Sequence, residues 1–473
     1  MEFILIFLPA VVGVNLILRG KARNYWLLLS SLLFYAWGEP AFVFVMIGSI
    51  ALNYIFALLI EHCGNRTGWK KTLLVTDVTC NLSVLFVFKY LNFITKTVRA
   101  WFPGLTPLVP QTSIVLPIGI SFFTFQALSY VIDVYRGTTA QKNPAYLGLY
   151  ISLFPQLIAG PIVRYGTIAE QIEHRKITVQ AFSAGVMTFL QGFNKKILLA
   201  NVLSEVADKA FGHSDICVGM AWLGAFCYML QIYFDFGGYS DMAIGLGKML
   251  GFQFEKNFDY PYISGTITEF WRRWHISLGS WFRDYVYFPM GGSRVKSKYR
   301  LIRNLFVVWL LTGIWHGAEW TFILWGILYG ILITAEKMTG IPQKLKKREC
   351  RAGKGLYRAF TVLVILLGWV LFRSENLAQA ELYFRTMFGV NHKALADNML
   401  IFDFRDYCTV LLAGILCSTP LFAKMKEKLA GKQEGVRAAA AEAVSWTVQL
   451  VLFLSSVGAL LMGAHNPFIY FNF

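Results

Sequence analysis

Apolar runs long enough to be membrane helices recur from one end of this chain to the other, parted by short loops in which Lys and Arg collect. No other feature restricts the fold as much. A backbone surrounded by hydrocarbon must satisfy its own N–H and C=O groups, so only helices and closed barrels remain. Alternating-strand patterns are absent, which leaves an all-α polytopic membrane protein. Only 15% of residues are charged, against roughly 25% in a soluble domain. The formal charge of +17 follows the positive-inside rule and comes with no nucleic-acid motif, so no nucleic-acid partner is expected. Neither an internal repeat nor a soluble segment is visible, and residues 1–473 read as one integral membrane domain among lipids.

Basic loops set the expected orientation. A first span over 3–18 is followed by Arg19, Lys21 and Arg23, which places that loop in the cytoplasm. The N-terminus lacks the basic region and cleavage site of a signal peptide and reads as a retained first helix. Spans over 25–37, 42–60 and 73–88 follow, then a Pro-rich outer loop over 90–115 with an interfacial helix. Residues 117–134 form a fifth span carrying Ser121, Thr124, Gln126 and Ser129, as interhelical glue or as the lining of a wet cavity. Residues 145–160, interrupted at Pro155, read as a broken or re-entrant element. Further spans are expected over 181–203, 221–250, 360–372, 409–422 and 445–461. Within 221–250 a Gly237-Gly238 break sits between Asp235 and Asp241. Those carboxylates either pair with nearby arginines or line a substrate channel.

The centre of the chain carries the chemistry. Residues 265–290 are basic and aromatic, too charged to span, and fit an interfacial or re-entrant helix with its aromatic face in the membrane. After a basic loop, a short arm from Leu305 rises to a Trp315-His316-Gly317 turn, and Trp320 to Thr334 returns. His316 is therefore expected at the top of a hairpin with cytoplasmic feet, within the membrane's thickness. His275 and His316 each follow a tryptophan, and ionisable residues at such depth are functional candidates. A neutral imidazole can act as general base toward a hydroxyl, with Trp315, Trp320 and Trp325 as a dry wall. Structural hydrogen bonding is the other role open to each. His62, His174, His213 and His392 lie in polar loops. Seven scattered cysteines without a CxxC pair argue against a disulfide framework or zinc site, and neither a metal nor a bound cofactor is expected. Hydrolase, zinc-protease and ATPase motifs are absent.

SLLFYAWGEP, LPIGISFFTFQALSYVIDVYRG, FPQLIAGPIVRY, QIYFDFGGYSDMAIGLGKMLGF, NFDYPY, FWRRWHISLGSWFRDYVYFPMGG, LLTGIWHGAEWTFILWG, WVLFRSENLAQA and the terminal PFIYFNF together resemble the membrane-bound O-acyltransferases, and within them the AlgI group of alginate O-acetyltransferases. The resemblance implies a ring of about eleven transmembrane helices around a recessed centre. It implies His316 as the invariant catalytic histidine and His275 as the second. Trp315, Glu319, Trp320, Asp235, Tyr239, Asp241, Asn257, Arg272, Arg273 and Trp274 are candidates for the substrate paths, and His275, which follows Arg272 and Arg273, could instead organise donor phosphates or hold structure. A cytosolic thioester, acetyl-CoA or an acyl carrier protein, would supply acetyl to an exopolysaccharide hydroxyl or to an extracytoplasmic SGNH-like partner, across a bacterial cytoplasmic (inner) membrane. D-alanyl transfer from a carrier protein (the DltB-like role) and a polytopic transporter are the rival readings. A transporter would be expected to show a two-fold hydropathy repeat.

Overall fold

The computed structural model describes residues 2–347, 351–430 and 436–463; their regular structure is helical, with no strand among them. The terminal PFIYFNF motif, Arg348, Cys350 and Lys432 lie outside the described residues. The helices in chain order are α1 (Leu8–Ile17), α2 (Lys21–Gly38), α3 (Val43–His62), α4 (Thr67–Leu85), α5 (Leu91–Trp101), α6 (Ile120–Tyr135), α7 (Pro144–Ser152), α8 (Phe154–Leu157), α9 (Tyr165–His174), α10 (Val179–Asn194) and α11 (Val202–Gly212). They continue with α12 (Val218–Met249), α13 (Ile267–Arg273), α14 (Ile276–Phe282), α15 (Lys298–His316), α16 (Trp320–Thr339), α17 (Ile341–Lys347), α18 (Arg351–Arg373), α19 (Leu377–Met387), α20 (Asn398–Cys417), α21 (Leu421–Ala430) and α22 (Val436–Leu461). Among the described residues, five helical stretches are long and apolar enough to cross a bilayer: Val43–His62, Thr67–Trp101, Trp320–Thr339, Arg351–Arg373 and Ala439–Leu461. The protein is a multi-pass membrane protein.

The chain divides into two compact units. The first comprises Met1–Val186 with Ala243–Glu255. Its core holds α6, buried from Ile120 to Val131. The polar residues of α6 include glue: the Ser121 hydroxyl meets Lys89 Nζ at 3.3 Å, and separately the main-chain carbonyl of Gln126 accepts from the Tyr150 hydroxyl at 3.3 Å. The interruption expected near Pro155 is present. It falls at Leu153, between α7 and α8, and every residue of α8 is buried in protein. The outer loop expected over 90–115 differs. A π-helical turn at Phe86–Tyr90 joins α4 to α5, so the helix runs on to Trp101 before the prolines end it.

The second unit comprises Met187–Met242 with Lys256–Phe473. Three expectations are corrected in it. Gly237-Gly238 is not a break, since α12 is helical throughout. A Cβ on Gly238 would lie 2.7 Å from the Gly192 carbonyl oxygen, so this glycine permits close helix packing. Asp235 and Asp241 pair with lysines rather than arginines: Asp241 with Lys195 at 2.7 Å, and Asp235 with Lys196 in a buried bridge. The single helix expected over 265–290 is two, α13 and α14, broken at Trp274-His275, and Phe270, Trp274, Trp281 and Phe282 are buried in the protein instead of facing lipid.

The hairpin around His316 forms as expected, although its rising arm starts earlier, at Lys298, because three basic residues make up its first turns. Two glycines let α15 and α16 touch. A Cβ on Gly313 would meet the Phe322 carbonyl oxygen at 2.5 Å, and one on Gly326 would meet that of Trp309 at 2.6 Å.

Candidate active site

His316 is the last residue of α15, which Gly317 ends by turning extended. The imidazole is 4% exposed. Its walls are aromatic: Trp315 at 4.8 Å, Trp325 edge-on at 5.1 Å and Phe372 edge-on at 5.2 Å between ring centroids. Trp325 comes from α16 and Phe372 from the end of α18, so three helices close the box.

His275 is held differently. It occupies the break between α13 and α14 with φ 45°, the left-handed region, which non-glycine residues seldom visit although His is enriched among those that do. It is 3% exposed. Nδ1 lies 3.1 Å from Asn257 Oδ1, which also accepts the Ser277 hydroxyl at 2.9 Å and the Ser277 backbone N–H at 3.2 Å. The Asn257 carbonyl receives the Ile276 N–H at 2.9 Å. The 257–259 segment therefore fixes the break by both backbone and side chain. Phe236 stands edge-on to the ring at 4.6 Å, and Trp315 lies 6.0 Å away, in contact with both histidines. Burial pushes the His275 imidazole down to about 3, so it is neutral at physiological pH.

Both histidines line one cavity of about 880 Å³. Trp271, Trp274, Leu278 and Phe282 supply apolar wall, and Arg272, Arg283, Lys337 and Lys354 supply positive charge. Lys337 lies far down α16 from the His316 turn, roughly 25 Å from Trp320 at helical rise. Glu336, beside it, is 2% exposed and accepts from Ile267 N at 2.9 Å, Thr268 N at 2.7 Å, the Thr268 hydroxyl at 2.5 Å and the Tyr357 hydroxyl at 2.9 Å. It thereby satisfies the free N–H groups at the start of α13 and ties that helix to α16 and α18.

The other sequence candidates separate into groups. Arg272 and Trp274 line the cavity. Arg273 is engaged by Asp259 and Glu269, each at 3.0 Å, and braces the break. Asn257 stands behind His275 rather than in the cavity wall. Asp235 and Asp241 are bridged to lysines, and Tyr239 is half-buried on α12. Glu319 and Trp320 are half-buried at the start of α16, outside the cavity lining. Sequence reasoning missed Glu336, Phe372 and Ser277 as site residues. Each works through a partner distant in the chain or through hydrogen-bond geometry, and no local pattern marks them.

The described residues thus form a helical membrane protein with two histidines on the lining of one aromatic, basic-edged cavity. Residues 142–372 match the family model described as MBOAT, membrane-bound O-acyltransferase family. The chain is 39% identical over its whole length to the probable alginate O-acetylase AlgI of Azotobacter vinelandii, covering 99% of that protein. It is 34% identical to the peptidoglycan O-acetyltransferase of Helicobacter pylori over 83% of this chain and 80% of that one. Against the teichoic acid D-alanyltransferase of Bacillus subtilis it is 28% identical over 48% of this chain and 60% of the relative. The chain belongs to the membrane-bound O-acyltransferase family and is an acyltransferase.

Proposed function

We propose that the protein is an O-acetyltransferase of a bacterial cytoplasmic membrane, taking acetyl from a cytosolic thioester toward a hydroxyl of an exopolysaccharide or of an extracytoplasmic partner protein. The observation that carries this reading is the shared cavity, with His316 and His275 in its aromatic wall and Arg272, Arg283, Lys337 and Lys354 on the same lining. A thioester on a long arm with an anionic head suits such a space. The full-length similarity to alginate O-acetylases favours acetyl and a polysaccharide acceptor over D-alanyl transfer, where similarity covers about half the chain.

His316 acts as general base. It takes the hydroxyl proton while the oxygen attacks the thioester carbonyl; the C–O bond forms, the C–S bond breaks, and the thiolate leaves and takes the proton back. Trp315, Trp325 and Phe372 exclude water that would hydrolyse the thioester. His275 is a second contact for the substrates in the same cavity.

The test is thioester loss and label transfer from radiolabelled acetyl-CoA by the purified protein in nanodiscs. Turnover by wild type, lost in a folded His316→Ala variant, is the expected result. Equal activity in both would remove His316 from the chemistry. Turnover only with an acetylated carrier protein would replace the donor.

A further inference from the structure

Apart from the histidine cavity, the second unit holds an open groove of about 490 Å³ between α12 and α18. Along α18 it follows one face, from Arg358 past Ala359, Val362 and Leu363 to Leu366, and Trp222 of α12 adds its indole. The Trp222 ring N–H donates to the Met387 carbonyl at 2.8 Å, so that side chain brings the groove no free polar atom. Ala359, small and exposed, leaves room that a larger side chain would fill. Arg358 is the one charged side chain on the lining among the described residues. Its guanidinium has no hydrogen bond or ion pair among them, whereas Arg273 and Arg373 are each held by a carboxylate. The helix that carries it is long and apolar enough to cross a bilayer, so lipid borders the groove. From Arg351 to Arg373 the helix has no acidic residue, and its first turns bear Arg351, Lys354 and Arg358. By the positive-inside rule that end faces the cytoplasm.

We propose that this groove seats an anionic glycerophospholipid of the bordering leaflet, its phosphate on Arg358 and one acyl chain laid along α18 to Leu366. Length supports the chain. From Arg358 to Leu366 the helix rises about 12 Å, near the roughly 15 Å that one leaflet contributes to the hydrocarbon core. Charge supports the head. An unpaired guanidinium at the edge of hydrocarbon calls for an anion, and a basic pocket between membrane helices suits a lipid phosphate. A zwitterionic lipid would bring an ammonium toward Arg351 and Lys354 along with its phosphate. A second copy of this chain would set one basic foot against another in an isologous contact. An apolar helix from a partner would bury Arg358 with nothing to neutralise it. The seated lipid braces α18, whose Phe372 is a wall of the His316 box.

The test is lipid retention by the full-length protein in detergent. Native mass spectrometry counts bound lipid as phosphatidylglycerol or phosphatidylcholine is added, with unfolding temperature as a second readout. Phosphatidylglycerol should bind about fivefold more tightly than phosphatidylcholine and raise the unfolding temperature. Arg358→Gln should weaken phosphatidylglycerol about fivefold, the effect of one basic contact at a lipid surface, and Arg358→Lys should keep most of the affinity. Ala359→Trp, which fills the groove and spares the arginine, should weaken the same lipid. Arg351→Gln removes an equal charge from the same helix, off the lining, and should leave affinity within about twofold. The proposal is overturned if the two lipids bind alike, or if either Arg358→Gln or Ala359→Trp changes nothing. It is overturned too if Arg351→Gln costs as much as Arg358→Gln, the mark of general attraction to the basic foot. A polyisoprenyl phosphate that protects where phosphatidylglycerol does not would also sink it. None of these readouts needs acyl transfer, so their failure leaves the acetyltransferase reading in place.

Discussion

His316 and His275 both follow a tryptophan and line one cavity, yet they are held by opposite means. The His316 ring sits at the end of a long helix in a box of aromatic rings drawn from α15, α16 and α18. His275 sits on a left-handed residue between two seven-residue helices, its ring oriented by Asn257 and its helix capped by Glu336. One histidine is placed by shape and the other by hydrogen bonds. A box of rings tolerates small shifts of register and excludes water. A hydrogen-bonded ring has a defined tautomer and an angle that cannot drift. On the proposed reading, dryness is what base chemistry at His316 requires.

The largest perturbation that separates the two is Trp325→Ala. This ring touches His316, Trp271, Tyr329 and Phe372 and has no exposed surface. Its loss should lower stability by about 3–5 kcal/mol through lost packing and open the His316 box, with the His275–Asn257 hydrogen bond intact. Thermal unfolding and thioester hydrolysis in the absence of acceptor would report both effects. Next is Gly313→Ala, whose new methyl would meet backbone of α16 at 2.5–3.0 Å. A loss of about 1–3 kcal/mol is expected, read as a lower unfolding temperature. Preserved stability would mean that the hairpin does not set the position of His316.

Glu336→Gln strikes the other side. The amide keeps one accepting oxygen and presents its NH₂ to donors it cannot satisfy, at a cost of about 1 kcal/mol or more. Turnover should fall through loosening of α13, with coenzyme A binding affected more than the rate constant at saturation. The smallest effect at neutral pH is that of His275 protonation. The ordinary histidine value is 6.5 and burial lowers this one to about 3. Below pH 6.5 the unfolded chain takes up a proton that the folded one refuses. The His275 contribution to stability is thus complete above pH 6.5 and is lost as pH falls toward 3. Unfolding temperature measured from pH 7 to pH 4 should decline in wild type more steeply than in His275→Gln.

The hairpin was legible because its punctuation is local: a basic foot, an apolar arm, Trp315-His316-Gly317, an apolar arm and a second basic foot. The α13–α14 break was not. WRRWHISL contains neither Gly nor Pro, and the residue that adopts the left-handed conformation is the histidine itself, fixed by Asn257 eighteen positions earlier. Gly237-Gly238 misled in the opposite direction, since glycine in a membrane helix serves close packing as readily as it breaks a turn. The ion pairs of Asp235 and Asp241 were expected in kind, but their lysine partners lie some 40 positions away on a separate helical segment, and pattern along the chain does not reach that far.

The left-handed backbone at His275 makes that position a double filter on sequence drift. Replacement has first to accept a positive φ, which admits glycine, asparagine and aspartate with little strain and turns away branched and bulky side chains. It has then to donate a hydrogen bond to the Asn257 oxygen, which removes glycine and the acceptor-only aspartate. A random library at this codon would thus yield almost no functional survivors besides the parent, with asparagine the one substitution able to pass both gates.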